Sequence, residues 1–160
     1  MMKSAYVIGL TILIRNPVFL SAVMSLFTAQ FAKAVIALFH HRRAGFREIF
    51  ATLLWRTGGM PSSHSALVIA ISTAIGITSG INSDVFVLSL FFTLIVIRDA
   101  VGVRRAAGLQ AKAINILGAK TSRRLRFQFK PVKEVHGHTF PQVVVGSLIG
   151  FLIALAVCTL

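Results

Sequence analysis

Residues 18–39 read VFLSAVMSLFTAQFAKAVIALF, and this stretch decides the fold class. A hydrocarbon layer about 30 Å thick is crossed by roughly 20 helical residues, and the stretch is that long and apolar apart from Gln30 and Lys33. These two stand at i and i+3 on one helical face, so that face must meet protein or water while the rest of the circumference meets lipid. An ionisable residue inside a span is by default a functional one. Composition agrees with a lipid solvent: 56% of the 160 residues are hydrophobic and 13% are charged, too few polar side chains to cover a water-soluble domain. The expected fold is all-α, a polytopic transmembrane helical bundle that forms a single membrane domain over residues 1–160.

Upstream of this span, Lys3 and the apolar run from Ala5 to Ile14 resemble the start of a signal peptide. Arg15-Asn16-Pro17 supplies no small-residue cleavage site, so the segment is expected to be retained. Downstream, a basic connector from His40 to Arg56 ends at Gly58-Gly59-Met60-Pro61, which breaks any helix. Ser62 and Ser63 are N-cap candidates for a new span from Ser65 to Ile81, rich in small residues suited to close helix contact. Asn82-Ser83-Asp84 reads as a turn, and Val85 to Ile97 as the return arm of a hairpin whose open end carries the polar motifs. Ala100 to Leu117 mixes Arg104, Arg105, Gln110, Lys112 and Asn115 with alanine and leucine, the pattern of a helix at the interface or against the bundle. Residues 118–138 then read as a basic loop and Thr139 to Leu160 as a last span, giving four to five membrane helices plus an interfacial one. Cys158 is the lone cysteine, a packing residue without an intrachain disulfide partner.

Charge sets the partners and the sidedness. Seventeen Lys and Arg face four acids, Glu48, Asp84, Asp99 and Glu134, for a formal charge of +13. With this much apolar sequence and no recognised nucleic-acid motif, anionic membrane lipids rather than nucleic acid are the expected counter-charge. Ten of the 17 basic residues lie between Arg98 and Lys133, four more between Arg42 and Arg56, and none in the Asn82–Asp84 turn. The positive-inside rule therefore places both basic segments in the cytoplasm of a multi-pass cell-membrane protein.

Under this topology three polar clusters meet on one membrane face: Gly58 to His64, Asp99 to Gln110, and His136 to Gln142, with Lys33 approaching from the long span. Binding a phosphate takes cations and backbone N–H donors at a helix start; transferring it adds a nucleophile and a proton donor. Each has a candidate here.

Gly58-Gly59-Met60-Pro61-Ser62-Ser63-His64-Ser65 resembles the signature of the divergent branch of the type 2 phosphatidic acid phosphatase and vanadium haloperoxidase superfamily. Asp99-Ala-Val-Gly-Val-Arg-Arg-Ala-Ala-Gly and His136-Gly-His138 support the likeness, which runs from about Gln30 to Gly150. It implies a membrane-embedded phosphatase, needing no metal or cofactor, that acts on a polyprenyl phosphate, phosphatidic acid or a similar lipid. His138 would attack phosphorus, with His136 the weaker candidate, and His64 would protonate the leaving alkoxide. Lys33, Ser62, Ser63, Arg104 and Arg105 would hold the phosphate, Arg105 being favoured of the adjacent pair. The sequence departs from the wider pattern at two places: Gln142 stands four residues after His138 where an acid is usual, and His40 stands seven after Lys33 where an arginine is usual. Asp99 would replace the missing acid if the fold brings it to His138.

Plainer readings stand beside these. The Pro61–His64 segment could be only a helix cap, His138 an interfacial histidine, and Lys33 with Asp99 a structural ion pair. A phosphate- or lipid-binding protein without turnover is the alternative function. A lipid flippase ranks last because no inverted repeat is visible. Four spans enclose little volume, and a homodimer is one way to complete the bundle.

Overall fold

The computed structural model describes residues 2–40, 59–134 and 137–160. The basic connector over residues 41–58 and the candidate His136 lie outside the described residues. The fold is all-α. Its elements are α1 (Met2–Arg15), α2 (Pro17–His40), α3 (Ser63–Ser79), α4 (Asp84–Arg98), a π-helical turn (Asp99–Val103), α5 (Arg104–Leu125) and α6 (Phe140–Thr159). Among the described residues three helices are long and apolar enough to cross a membrane: Pro17–Phe39, the continuous helix Asp84–Leu125 and Phe140–Thr159. The shorter apolar α3 lies between them, packed on α6, α2 and α4.

Local signals start and stop these helices. Asn16 caps α2, its Oδ1 accepting from the Val18 and Phe19 N–H groups at 2.9 and 3.2 Å. Ser62 caps α3, and Ser83 caps α4 by accepting from Phe86 N–H at 3.3 Å. α3 ends at Gly80, whose φ of 86° suits a residue without a Cβ. Thr139 and Gln142 form a reciprocal capping box at the start of α6, with Pro141 in its first turn.

The core is built from small residues. Ala29, Ala66, Ala70, Ala74 and Ala154 are fully buried, and the largest fully buried side chains are Pro61, Ser21, Ser25, Ser62 and Ser65. Phe27, Phe31, Leu88, Phe92 and Leu152 point outward. This inverts the soluble pattern, because lipid tails are as apolar as leucine and helices associate by close packing instead. Gly146 and Gly150, a Gly-x-x-x-Gly pair on α6, bring its backbone against α3: a Cβ at either would collide with the carbonyl oxygen of Ser62 or Ala66. Polar contacts add to the packing, with Ser89 donating to Ser72 Oγ at 3.2 Å and Thr93 to the Val68 carbonyl at 3.1 Å, both across the α3–α4 hairpin.

Two features depart from the sequence reading. Helix α5 runs through Leu125, into the segment read as a loop from residue 118, because Ala119, Lys120, Arg123, Arg124 and Leu125 include strong helix formers and the terminal arginines suit the helix dipole. The chain reverses only at Arg126, at φ 56°. Nor does the α4–α5 chain break at Asp99: it passes through the π-helical turn, where the Arg104 N–H reaches the Asp99 carbonyl.

Gly150→Leu should destabilise the protein by about 1–3 kcal/mol through overpacking, although helix propensity alone would favour the change by roughly 1 kcal/mol. Gly9→Ala, at a position with nothing within 4 Å of the added Cβ, should leave stability unchanged or slightly raised. Thermal unfolding in detergent reads the difference, whose sign separates packing from propensity.

Candidate active site

Ser62 anchors the site. Its Oγ accepts from the Ser65 amide at 3.4 Å and the Ser65 hydroxyl at 2.9 Å, while its own N–H donates to the Gln142 carbonyl at 3.0 Å. The turn before α3 is thereby fixed to the first turn of α6. Pro61, Ser62 and Ser63 are buried. Ser63 and His64 open α3, where the first amides of a helix have no intrahelical acceptor and the dipole favours an anion. His64 is exposed at this end.

Gly59, at φ 83°, carries the chain past the stem of Lys33; a Cβ there would stand 3.8 Å from Lys33 Cγ. Lys33 is 5% exposed and has no hydrogen-bond or ion-pair partner among the described residues. One turn earlier, Gln30 Oε1 is the one fully buried side-chain oxygen or nitrogen among the described residues that lacks a hydrogen bond, the Lys33 ammonium keeping some exposure.

The π-helical turn supplies the third group. Arg104 Nε donates to Asp99 Oδ2 at 2.6 Å, both side chains being partly exposed. The Ala100 carbonyl in the same turn accepts from the His138 N–H at 3.1 Å. Gly137 lies flat on the backbone of Arg105, where a Cβ would collide with the Arg105 N and Cα. Together these contacts hold the His138 segment against the start of α5.

His138 is 6% exposed, and its Nδ1 lies 3.3 Å from Gln142 Oε1. That oxygen also accepts from the Thr139 N–H at 3.0 Å. A backbone N–H only donates, so the amide oxygen, not the NH₂, faces this cluster, and His138 Nδ1 must carry the proton. Nε2 is then the free lone pair. Burial holds the His138 imidazole below its ordinary pKa; the hydrogen bond it donates to Gln142 pulls upward, and the charges of Lys33, His64 and Arg104 push down again. The ring is therefore neutral around pH 7.

Lys33, His64, His138 and Arg104 thus lie within electrostatic reach of one another, and Asp99 within reach of His64. Of the adjacent arginines, Arg104 turns its charge toward the histidines, whereas Arg105 contributes its backbone as a seat for Gly137 and has an exposed side chain. Asp99 pairs with Arg104 and not with Lys33, and the group at His138 Nδ1 is Gln142. The contributions of Gly137 and the Ala100 carbonyl went unread in the sequence, since neither has a chemical signature. The Thr139-x-x-Gln142 capping box does have one and could have been found.

The model of the divergent PAP2 family matches residues 14–153 of the chain. The uncharacterized membrane protein YuiD of Bacillus subtilis (strain 168) is 36% identical over 154 residues, covering 89% of this chain and 94% of YuiD. No solved structure matches. With the family match extending over α2 to α6 and every site group described above, this membrane protein belongs to the divergent PAP2 family.

Proposed function

We propose that the protein is a metal-independent phosphatase of a membrane lipid phosphate, such as a polyprenyl phosphate or phosphatidic acid, with its site at the cytoplasmic face. The observation that carries this reading is the pair of imidazoles, His138 neutral and oriented and His64 exposed, gathered with Lys33 and Arg104 at one helix start. Lys33 in particular is buried with no acid paired to it among the described residues, an arrangement that a bound phosphate would complete.

In the reaction, His138 Nε2 attacks phosphorus as the bond to the lipid oxygen breaks, and His64, holding a proton beside the bound phosphate dianion, gives it to that oxygen, releasing the lipid alcohol. Lys33, Arg104 and the amides of Ser63 and His64 stabilise the negative charge on the equatorial oxygens. The phosphorylated His138 ring is cationic, and Gln142 Oε1 stabilises it as a dipole at Nδ1. Water then attacks phosphorus while His64, now neutral, takes its proton; the P–N bond breaks, phosphate leaves and both histidines return to their starting states.

Gln142 also favours a second reading, a phosphate-binding membrane protein without turnover. An amide orients the imidazole but lacks the charge that stabilises an imidazolium; in serine proteases the analogous acid-to-amide change costs about 10⁴ in rate.

Two measurements separate these readings. Phosphate release from lipid phosphates should fall by about 10²–10⁴ in His64→Ala and further in His138→Ala; no release by the wild type, with vanadate binding that survives His138→Ala, would instead support the binding protein. Gln142→Glu keeps a capping-box residue and adds a charge-assisted hydrogen bond stronger by roughly 1–1.5 kcal/mol, so its rate should rise about tenfold. The same change should move the acid limb of the pH–rate profile upward. In the wild type that limb lies below the ordinary imidazole value, since burial keeps His138 neutral as pH falls.

A further inference from the structure

Beyond Arg104, the phosphatase chemistry uses nothing in residues 104–134, yet this segment has a definite construction. Helix α5 continues α4 in one helix of 42 residues, roughly 60 Å long and about twice the hydrocarbon thickness. That is more than the hydrocarbon layer can hold, so the half after the π-helical turn lies outside the acyl core at the end of the bundle that holds the site. A π-helical turn is a place where a long helix bends. It makes no extensive contact with any other helix except the π-helical turn from which it emerges.

After Arg126 the chain doubles back as a strap over residues 127–134. Asn115 fixes it with three bonds: Nδ2 donates to the Val132 carbonyl and to Glu134 Oε1, each at 2.9 Å, and Oδ1 accepts from the Val132 N–H at 2.8 Å. The Ser122 hydroxyl donates to the Phe127 carbonyl, and the Phe129 ring lies over Gly118 in space that a Cβ would need. Gly108, Ala111, Asn115, Gly118 and Ser122, spaced three and four apart, form the shielded face of α5.

The strap thereby determines which face stays open. Leu109, Ala113, Ile116 and Leu117 follow one another at i, i+4, i+7 and i+8 on the other side, with Leu109 62% and Leu117 65% exposed. Lys112, Lys120, Arg123 and Arg124 are exposed along it. Helix α5 carries six basic residues and no acid. Charge decides the occupant: a second copy would set six more cations against these, and water would leave the apolar row uncovered. An anionic bilayer surface takes the apolar row into the acyl boundary and the cations at its phosphates.

We propose that this open face of α5 docks on the anionic lipid surface of the membrane that the bundle spans, the strap serving as its water-facing back. The docking is a binding function that stands whether or not the site hydrolyses a phosphate. It takes a bend toward the bilayer at the π-helical turn and keeps that turn, with Asp99 and Arg104, at headgroup level.

The test places an environment-sensitive fluorophore on Leu117→Cys in a Cys158→Ser background, in nanodiscs holding one copy of the full chain. The discs contain phosphatidylcholine alone or phosphatidylcholine mixed with phosphatidylglycerol, and a probe on Lys130→Cys, on the strap, serves as the control. The expected result is a blue shift at position 117 only in the mixed discs, reversed by high salt, with position 130 unchanged. Combining Lys112→Gln, Lys120→Gln, Arg123→Gln and Arg124→Gln should abolish the shift, each charge weakening docking by about fivefold. A probe at 117 that stays in water in both discs, a shift indifferent to phosphatidylglycerol and to the four substitutions, or shielding that needs two copies per disc would each overturn the proposal.

Discussion

The close approach of α3 and α6 is the constraint on which the rest of the structure depends. Without a hydrophobic force between helices in lipid, backbones must come close enough for packing and polar contacts to hold them. Gly146 and Gly150 allow that approach against the carbonyls of Ser62 and Ala66. A non-helical turn near the acyl core also needs partners for its backbone, and the Ser62 amide finds one in the Gln142 carbonyl. Since His64 follows Ser62 by two positions and His138 precedes Gln142 by four, the contact that secures the turn also brings the two imidazoles to one end of the bundle.

The electrostatics follow from a shortage of acids. Asp99 is committed to Arg104, and among the described residues no other acid pairs with the buried Lys33. A buried charge left unpaired costs several kcal/mol, and an anion bound at this cationic end of the bundle, beside free helix amides, recovers that cost. The same positive surroundings, added to burial, keep His138 neutral. One arrangement thus favours a bound phosphate and an imidazole lone pair together, and Gln142, shared between the capping box and His138, orients that lone pair outward.

Much of this was legible in the sequence, because the signals are local or depend on composition. The apolar run over residues 18–39, the serine after Pro61 and the Asn82–Asp84 turn located the helices and the hairpin to within a few residues. The Pro61–His64 motif and the family likeness selected the site groups. What could not be read depends on tertiary contact. Arg104 and Arg105 are chemically alike, and only the π-helical turn, which re-aims one of them at Asp99, distinguishes their roles. Helix α5 continues past Gly118 because Phe129 covers that glycine and Asn115 holds the strap, contacts between positions far apart in sequence. The Gly146–Gly150 pair went unread, because a Gly-x-x-x-Gly spacing does not say which helix lies against it, and here that helix is α3.

The central claim is that His138 forms the covalent intermediate, and trapping it tests that claim most directly. Purified protein mixed briefly with a radiolabelled lipid phosphate and quenched in alkali should carry label that is stable to base and lost in acid, as a phosphohistidine is, and peptide mapping should place it on His138. The label should be absent from His138→Ala. Phosphate release without a labelled histidine, or label that persists in His138→Ala, would contradict the account.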